Sequence, residues 1–404
     1  MKSSIAVAAL AAALAWTGTA NAQDKNVKIG VMTDMSGLYS DISGSGSVLA
    51  VNMAVEDSGL REKGWKIDII SADHQNKPDI ATSLARQWAD VENVDVYADV
   101  VTSSTALAIN PVVVEKNRVH LNSGAATSAL SGKACTPNTI HWTYDTYELA
   151  NGTGKAVTKA GGESWFFITA DYAFGAALEA DTRAVVEKNG GKVLGSVKHP
   201  LNSSDFSSFL LQAQSSHAKI IGLANAGGDT TNAVKQAAEF GIVKGGQKLA
   251  SLLLFISDVH ALGLKVANGL QMTESFYWDL NDETRGFSKR FSARSKNNAM
   301  PSMVQAGDYS AVLHYLKALV ALGGNPHDGA KVIVKMKELP TDDPIFGKGS
   351  IRADGRKIHP AYLFEVKKPE ESKGPWDYYK LVATIPAEEA FRPLAESECP
   401  LVKK

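Results

Sequence analysis

Cysteine is scarce in this chain: Cys135 and Cys399 are the two among 404 residues, and they form no Cys-x-x-Cys pair. The nine histidines are scattered, with no His-Glu-x-x-His motif. A Walker A loop and a Gly-x-Ser-x-Gly elbow are missing as well, and together these absences disfavour the common hydrolases and kinases. Neither sign of charge dominates, since 42 Lys and Arg face 43 Asp and Glu for a formal net charge of −1. That balance supplies no basic stripe for nucleic acid and no polybasic membrane tether. Beyond the first 22 residues no apolar run is long enough to span a bilayer.

What is present begins with a leader. Lys2 in a short polar start, the apolar run Ile5 to Trp16 and the small residues Ala20, Asn21 and Ala22 have the three parts of a bacterial secretory signal peptide. Cleavage is expected after Ala22, with delivery to the periplasm; a membrane anchor would need about 20 apolar residues. Residues 23–404 suffice for two domains. In an oxidising compartment Cys135 and Cys399 are expected to pair and to hold a proline-flanked tail that would otherwise fray. Two unpaired buried thiols are the alternative.

The chain is organised around Val119 to Leu130, which begins as a buried strand and ends in the small residues Ser123 to Thr127. Open parallel sheets bind ligands beyond the carboxyl ends of their strands. The preceding unit, Val94 to Thr105, also closes in hydroxyls. Ser103, Ser104 and Thr127 can donate to an anion together with the positive ends of helices and without lysine or arginine. The plain alternative is an ordinary strand-to-helix turn capped by Ser or Thr.

Upstream, strand Val27 to Met32 leads through the Gly- and Ser-rich loop Thr33 to Gly46 into the helix Ser47 to Asp57. Gly44 and Gly46 lack the third glycine of a dinucleotide fingerprint, so the loop is expected to face a ligand with Tyr39 and Ile42. A strand at Lys66 to Ser71 and a helix near Ile80 to Asn93 continue a β-α-β-α order, giving a parallel sheet with helices on both faces. His74 is expected in a surface turn and His120 as a satisfied sheet residue.

At Ile140 to Tyr147 an aromatic, polar stretch marks a first crossing into a second lobe. Its strands are expected at Glu163 to Ala170, Lys192 to Val197, Lys219 to Ala224 and Ser251 to Ile256. Two strand ends there repeat the pattern: Tyr172 and Phe174 offer an aromatic wall, or merely pack the helix below, while Ala226 and Gly227 leave room. Gly269 to Trp278 is expected to return to the first lobe, with helices around Arg285 to Lys296 and Gln305 to Leu322. A third crossing follows at Asp342 to Phe346, then antiparallel hairpins with a tight turn at Asp354-Gly355. The first lobe would comprise 23–144 with 275–345, and the second 145–274 with 346–404, including the C-terminal tail.

Taken together, Lys28-Ile-Gly-Val with its Ser-Gly loop, the Ser103-Ser104 tip, Gly124-Ala-Ala-Thr127 and Asp171-Tyr-Ala-Phe-Gly175 resemble the periplasmic solute-binding proteins of ABC importers, in the group of the leucine, isoleucine and valine binders. The likeness covers essentially the whole chain after the leader. It implies a type I periplasmic binding fold: α/β, with two doubly wound parallel-sheet lobes joined by three hinge crossovers and closing on a ligand. It implies binding rather than catalysis, no cofactor, a small carboxylate ligand, an inner-membrane permease as partner and a monomer. The family's carboxylate contacts fall on Ser103, Ser104, Ala125, Ala126 and Thr127.

Two departures bear on the ligand. Phe174 stands where amino-acid binders often carry tyrosine, and their second tyrosine falls near Ala226 or Gly227. Their acidic partner for an α-ammonium has no clear equivalent near Ile256 to Asp258. The sequence therefore looks closer to members that bind aromatic acids resembling benzoate or cinnamate. A branched-chain or other amino acid is the second reading. An exported enzyme using Asp171 or Asp258 as a base would need a nucleophile or metal that the inferred pocket lacks, and a sensory module would look the same in sequence.

Overall fold

The computed structural model describes residues 24–403, so the expected signal peptide lies outside the described residues. Five strands form the first sheet: β1 (Asn26–Thr33), β2 (Lys66–Asp73), β3 (Val96–Asp99), β4 (Val119–Asn122) and β5 (Thr139–His141). All pairs are parallel, in the order β2-β1-β3-β4-β5. β3 and β4 are buried along their whole length, as central strands covered by helices on both faces require. β5 is a short strand at the start of the stretch expected to be purely a crossing.

The second sheet repeats the pattern with β6 (Ser164–Ala170), β7 (Lys192–His199), β8 (Ile220–Ala224) and β9 (Lys248–Ser251) in the parallel order β7-β6-β8-β9. β9 ends where the strand expected at Ser251 to Ile256 was to begin. Leu252 to Phe255 instead descend without regular structure into the helix Ile256–Leu262. β10 (Gln271–Glu274) pairs antiparallel with β13 (Ala361–Val366), which pairs with β14 (Tyr379–Ile385). Between them β11 (Ser350–Ile351) and β12 (Lys357–Ile358) make the expected hairpin, turning through Gly355 at φ 80°. A bridge from His141 to Arg356 sets this hairpin beside β5. The chain is thus still beside the first sheet after residues 342–346 and joins the second lobe's strands from Ala361.

Three connecting segments meet at one carbonyl. Thr143 O accepts from Arg356 Nη2 at 2.6 Å and from Ser275 Oγ at 3.2 Å, and lies 2.6 Å from His359 Nε2. Arg356 is fully buried and also donates to Tyr144 O at 3.1 Å. A buried guanidinium is tolerated where most of its donors are taken up and a carboxylate stands near; among the described residues Nε makes no hydrogen bond, and it faces Asp145 Oδ2 at 3.6 Å.

The helix Met303–Leu322 starts with a reciprocal cap between Ser302 and Gln305 and ends at left-handed Gly323. It packs against the helix Gly44–Ser58, which begins earlier than its expected start at Ser47. Cys135 and Cys399 form a disulfide with Cα atoms 5.6 Å apart.

Candidate functional site

Strand order fixes where a ligand can sit. In the first sheet the order reverses between β1 and β3, and in the second between β6 and β8, so each sheet opens a crevice beyond those carboxyl ends. Tyr39 and Ile42 follow β1, and Val101 and Ser103 follow β3. Tyr172 and Phe174 follow β6, and Ala226 and Gly227 follow β8.

The two crevices face each other around one narrow cavity. Tyr39, Ile42, Ser103 and Ala126 line it from the first lobe; Tyr172, Phe174 and Ala226 line it from the second. Val101, Gly124, Tyr144 and Leu253 complete the wall, and sequence reasoning did not single them out. Tyr144 lies in the aromatic crossing stretch, a usable signal, and Leu253 falls in the apolar run Ser251 to Ile256 that reads as a strand. Among the described residues no charged side chain lines the cavity. The gap is narrow, since only about 10 Å³ of it admits the centre of a water-sized sphere, roughly one water's worth. A ligand must part the lobes to enter.

Each aromatic is positioned by its own local chemistry. The Asp34 carboxylate accepts from the Gly37 and Tyr39 amides at 2.7 and 2.9 Å, folding the loop so that Tyr39 points inward. The Tyr39 and Tyr172 hydroxyls meet across the cleft at 2.7 Å. Burial first, then mutual proximity, raises the Tyr39 phenol well above its ordinary value, so both stay neutral. Tyr144 OH donates to Gly124 O at 2.8 Å, holding the ligand loop.

The remaining expected residues are placed around this wall. Ser103 Oγ accepts from Thr127 N at 3.1 Å, so the two strand tips are joined. Thr127 Oγ1 accepts from Ala129 N at 3.4 Å, and its side chain is not part of the wall. Ser104 is half-buried on the following helix. Ala125 packs into the core behind the loop, its carbonyl accepting from Asn122 Nδ2 at 2.6 Å. Gly227, at φ 58°, lies against Leu38 O and the Tyr39 ring. His74 is buried rather than on the surface, its Nδ1 accepting from Asn76 N at 3.0 Å, and burial depresses its pKa to about 4. His120 is buried as expected, with Nδ1 2.9 Å from Asn110 Oδ1.

Three helices begin at the cleft: Ser103–Glu115, Ala173–Lys188 and Gly228–Glu239. None has a side-chain cap on its first amides. Their unsatisfied N–H groups and positive ends favour an anion. At β3's end, Asp99 and Val100 both take left-handed conformations, φ 72° and 57°, a strain typical of ligand-facing turns. A larger depression lies between Lys219, Lys248 and Lys265 at the amino ends of the second lobe's strands, opposite the cleft.

The chain matches the periplasmic binding protein family over residues 26–374. A periplasmic binding protein from Burkholderia mallei is 55% identical, with a TM-score of 0.90 over 94% of this chain and 100% of that one. A branched-chain amino acid ABC transporter periplasmic ligand-binding protein from Burkholderia xenovorans LB400 is 41% identical, TM-score 0.82, covering 93% and 100%. A Leu/Ile/Val-binding protein homolog of Brucella abortus is 24% identical over 91% of this chain and 92% of its own length. In fold alone, a solute-binding protein from R. palustris in complex with 4-hydroxybenzoate superposes at TM-score 0.81, 22% identity, over 90% and 97%. The two facing crevices and these likenesses agree: the chain belongs to the periplasmic binding protein family, among the ABC-transporter solute-binding proteins related to the Leu/Ile/Val binders.

Proposed function

We propose that this protein captures a small aromatic monocarboxylate of the benzoate or cinnamate type in the periplasm and delivers it to an inner-membrane permease. The observation that carries the reading is the cavity wall: Tyr39, Tyr144, Tyr172 and Phe174 surround a space with no charged side chain. An α-ammonium would find no carboxylate there, and burying it unpaired is strongly unfavourable. A flat ring gains from the aromatic wall, about 0.5 to 1.5 kcal/mol beyond buried area. Its carboxylate would meet Ser103, Ser104, the backbone of Ala125 and Ala126, and Thr127, at the amino end of the helix Ser103–Glu115, with Ile42, Ala226 and Gly227 closing the sides. The R. palustris protein of like fold holds 4-hydroxybenzoate, which supports this choice of ligand class.

A second reading, a branched-chain amino acid, draws on the description of the 41% identical Burkholderia xenovorans protein. A thermal-shift screen separates the two. Benzoate, 4-hydroxybenzoate or cinnamate at a hundred times the Kd should stabilise by about 2.7 kcal/mol, whereas leucine, isoleucine and valine should leave the melt unchanged. Stabilisation by the aliphatic amino acids and by no aromatic acid would reverse the choice.

A further inference from the structure

Asp181, on the second-lobe helix Ala173–Lys188, is not part of the cavity wall, yet three separate segments converge on its carboxylate. Ser128 Oγ of the first lobe donates to Oδ2 at 2.8 Å, and Thr146 Oγ1 of the first connecting segment donates to the same oxygen at 2.6 Å. Arg392 Nη2 of the C-terminal tail donates to Oδ1 at 2.8 Å. Thr146 Oγ1 also accepts from Ser128 N at 3.0 Å, so Ser128 is gripped at two points. It directly follows Thr127 at the end of the ligand loop.

Arg392 is itself held in place. Its guanidinium lies over the Tyr147 ring at 4.8 Å and its carbonyl accepts from Arg352 Nη1 at 2.8 Å. Asn151 Nδ2 donates to Glu389 O at 2.6 Å, and the segment ends on the Cys399 bond to Cys135 of the first lobe. We propose that Asp181 is a clasp across the cleft, a positioning residue that binds the ligand loop of the first lobe to the second lobe in the closed form, aimed by a tail that is stapled to the first lobe.

The asymmetry of its partners makes the clasp reversible. Opening the cleft must break the Ser128 bond, because it joins different lobes. The charge is not stranded when that happens, since Thr146 still donates to it and Arg392, whose segment Asn151 of the second lobe holds at Glu389 O several residues before the disulfide, still neutralises it. A hydroxyl bond to an ionised acceptor with 11% side-chain exposure is stronger than one between neutral groups.

The inference rests on the family's two-lobe closure and is independent of the ligand, so its test uses none. The native cysteines are paired, so Glu62→Cys and Lys188→Cys, exposed positions on opposite lobes, can be dye-labelled for single-molecule energy transfer. The unliganded protein should show a measurable closed population. Ser128→Ala should raise the open-to-closed ratio about tenfold, with Asp181→Ala no less effective and the double variant adding nothing further. Arg392→Gln should act in the same direction but more weakly. An unliganded protein without a closed population, a ratio unchanged in Ser128→Ala, or additive single effects would overturn the proposal. Ser128→Ala deletes one hydroxyl and leaves the Asp181–Arg392 pair intact, so the test stands even if Asp181→Ala does not fold.

Discussion

Beneath the ligand loop, two carboxyls are buried with only poorly aligned hydroxyls beside them. Asp99 ends β3 and Asp308 sits on the helix Met303–Leu322, both with no exposure. Among the described residues none of their four oxygens has a well-aligned hydrogen bond, nor do the hydroxyls of Ser47 and Ser123 beside them. Burial pushes Asp99 up to about 7, with Asp34 adding to the rise and Thr33 and Ser47 offsetting part of it. Burial and then Asp99 itself raise Asp308 well above the usual carboxylate range. In the unfolded chain an aspartate titrates near 3.9. Between about pH 4 and 7 the folded chain therefore holds a proton that the unfolded chain has released, and stability falls as pH rises through that window. Asp308→Asn removes one of the two like charges and should raise the melting temperature more at pH 8 than at pH 5. Melts showing the same difference at both values would refute the linkage.

At the scale of elements, the strand tips carry the site, and they were readable because a buried parallel strand is a continuous apolar run whose end is marked by a sudden change to Ser, Thr, Gly and Ala. Ser103, Ala126, Tyr172 and Ala226 share one cavity for that reason. What escaped the sequence lacks such a marker. β5 spans only three residues, too few for a period to show. Leu253 belongs to an apolar run that reads equally as strand or descent. The left-handed Val100 breaks the rule that β-branched residues avoid positive φ, so only tertiary context reveals it. Gly227 shows the converse, a glycine whose need is set by the opposite lobe. A Cβ there would lie 3.0 Å from Leu38 O and 3.2 Å from the Tyr39 ring. Gly227→Ala should weaken ligand binding by obstructing closure, beyond the roughly 1 to 3 kcal/mol of strain that an alanine meets at φ 58°, ψ −133°. Calorimetry alongside melts of the unliganded protein checks this: affinity should fall severalfold while the melting temperature moves by a few degrees at most. Unchanged affinity would mean that the contact does not limit closure.

For the whole molecule, the lobes are joined through connecting segments that share the Thr143 carbonyl, and the tail forms an additional link whose far end is covalent. The Cys135–Cys399 bond spans 264 residues of sequence, so it encloses the second lobe and the later part of the first, leaving β1 to β4 outside. The chain-entropy argument for a loop that long gives about 5 to 6 kcal/mol, and observed values are usually about 2 to 4 kcal/mol. For a protein of this size each kcal/mol shifts the midpoint by about 1 to 2 °C, so Cys135→Ser with Cys399→Ser should lower Tm by several degrees. The loss should not be uniform. Residues 387–399 are held by hydrogen bonds to Asn151, Arg352 and Asp181 and by Ala390 and Phe391, buried against Ala361 and the Arg356 guanidinium, but no strand ladder secures them, and such segments open more readily than the sheets. Hydrogen exchange should therefore accelerate first in this segment, while β3, β4 and β8 remain protected at temperatures well below the midpoint. A reduced protein with an unchanged melt and unchanged exchange in the tail would show that the bond records the position of the tail without holding it.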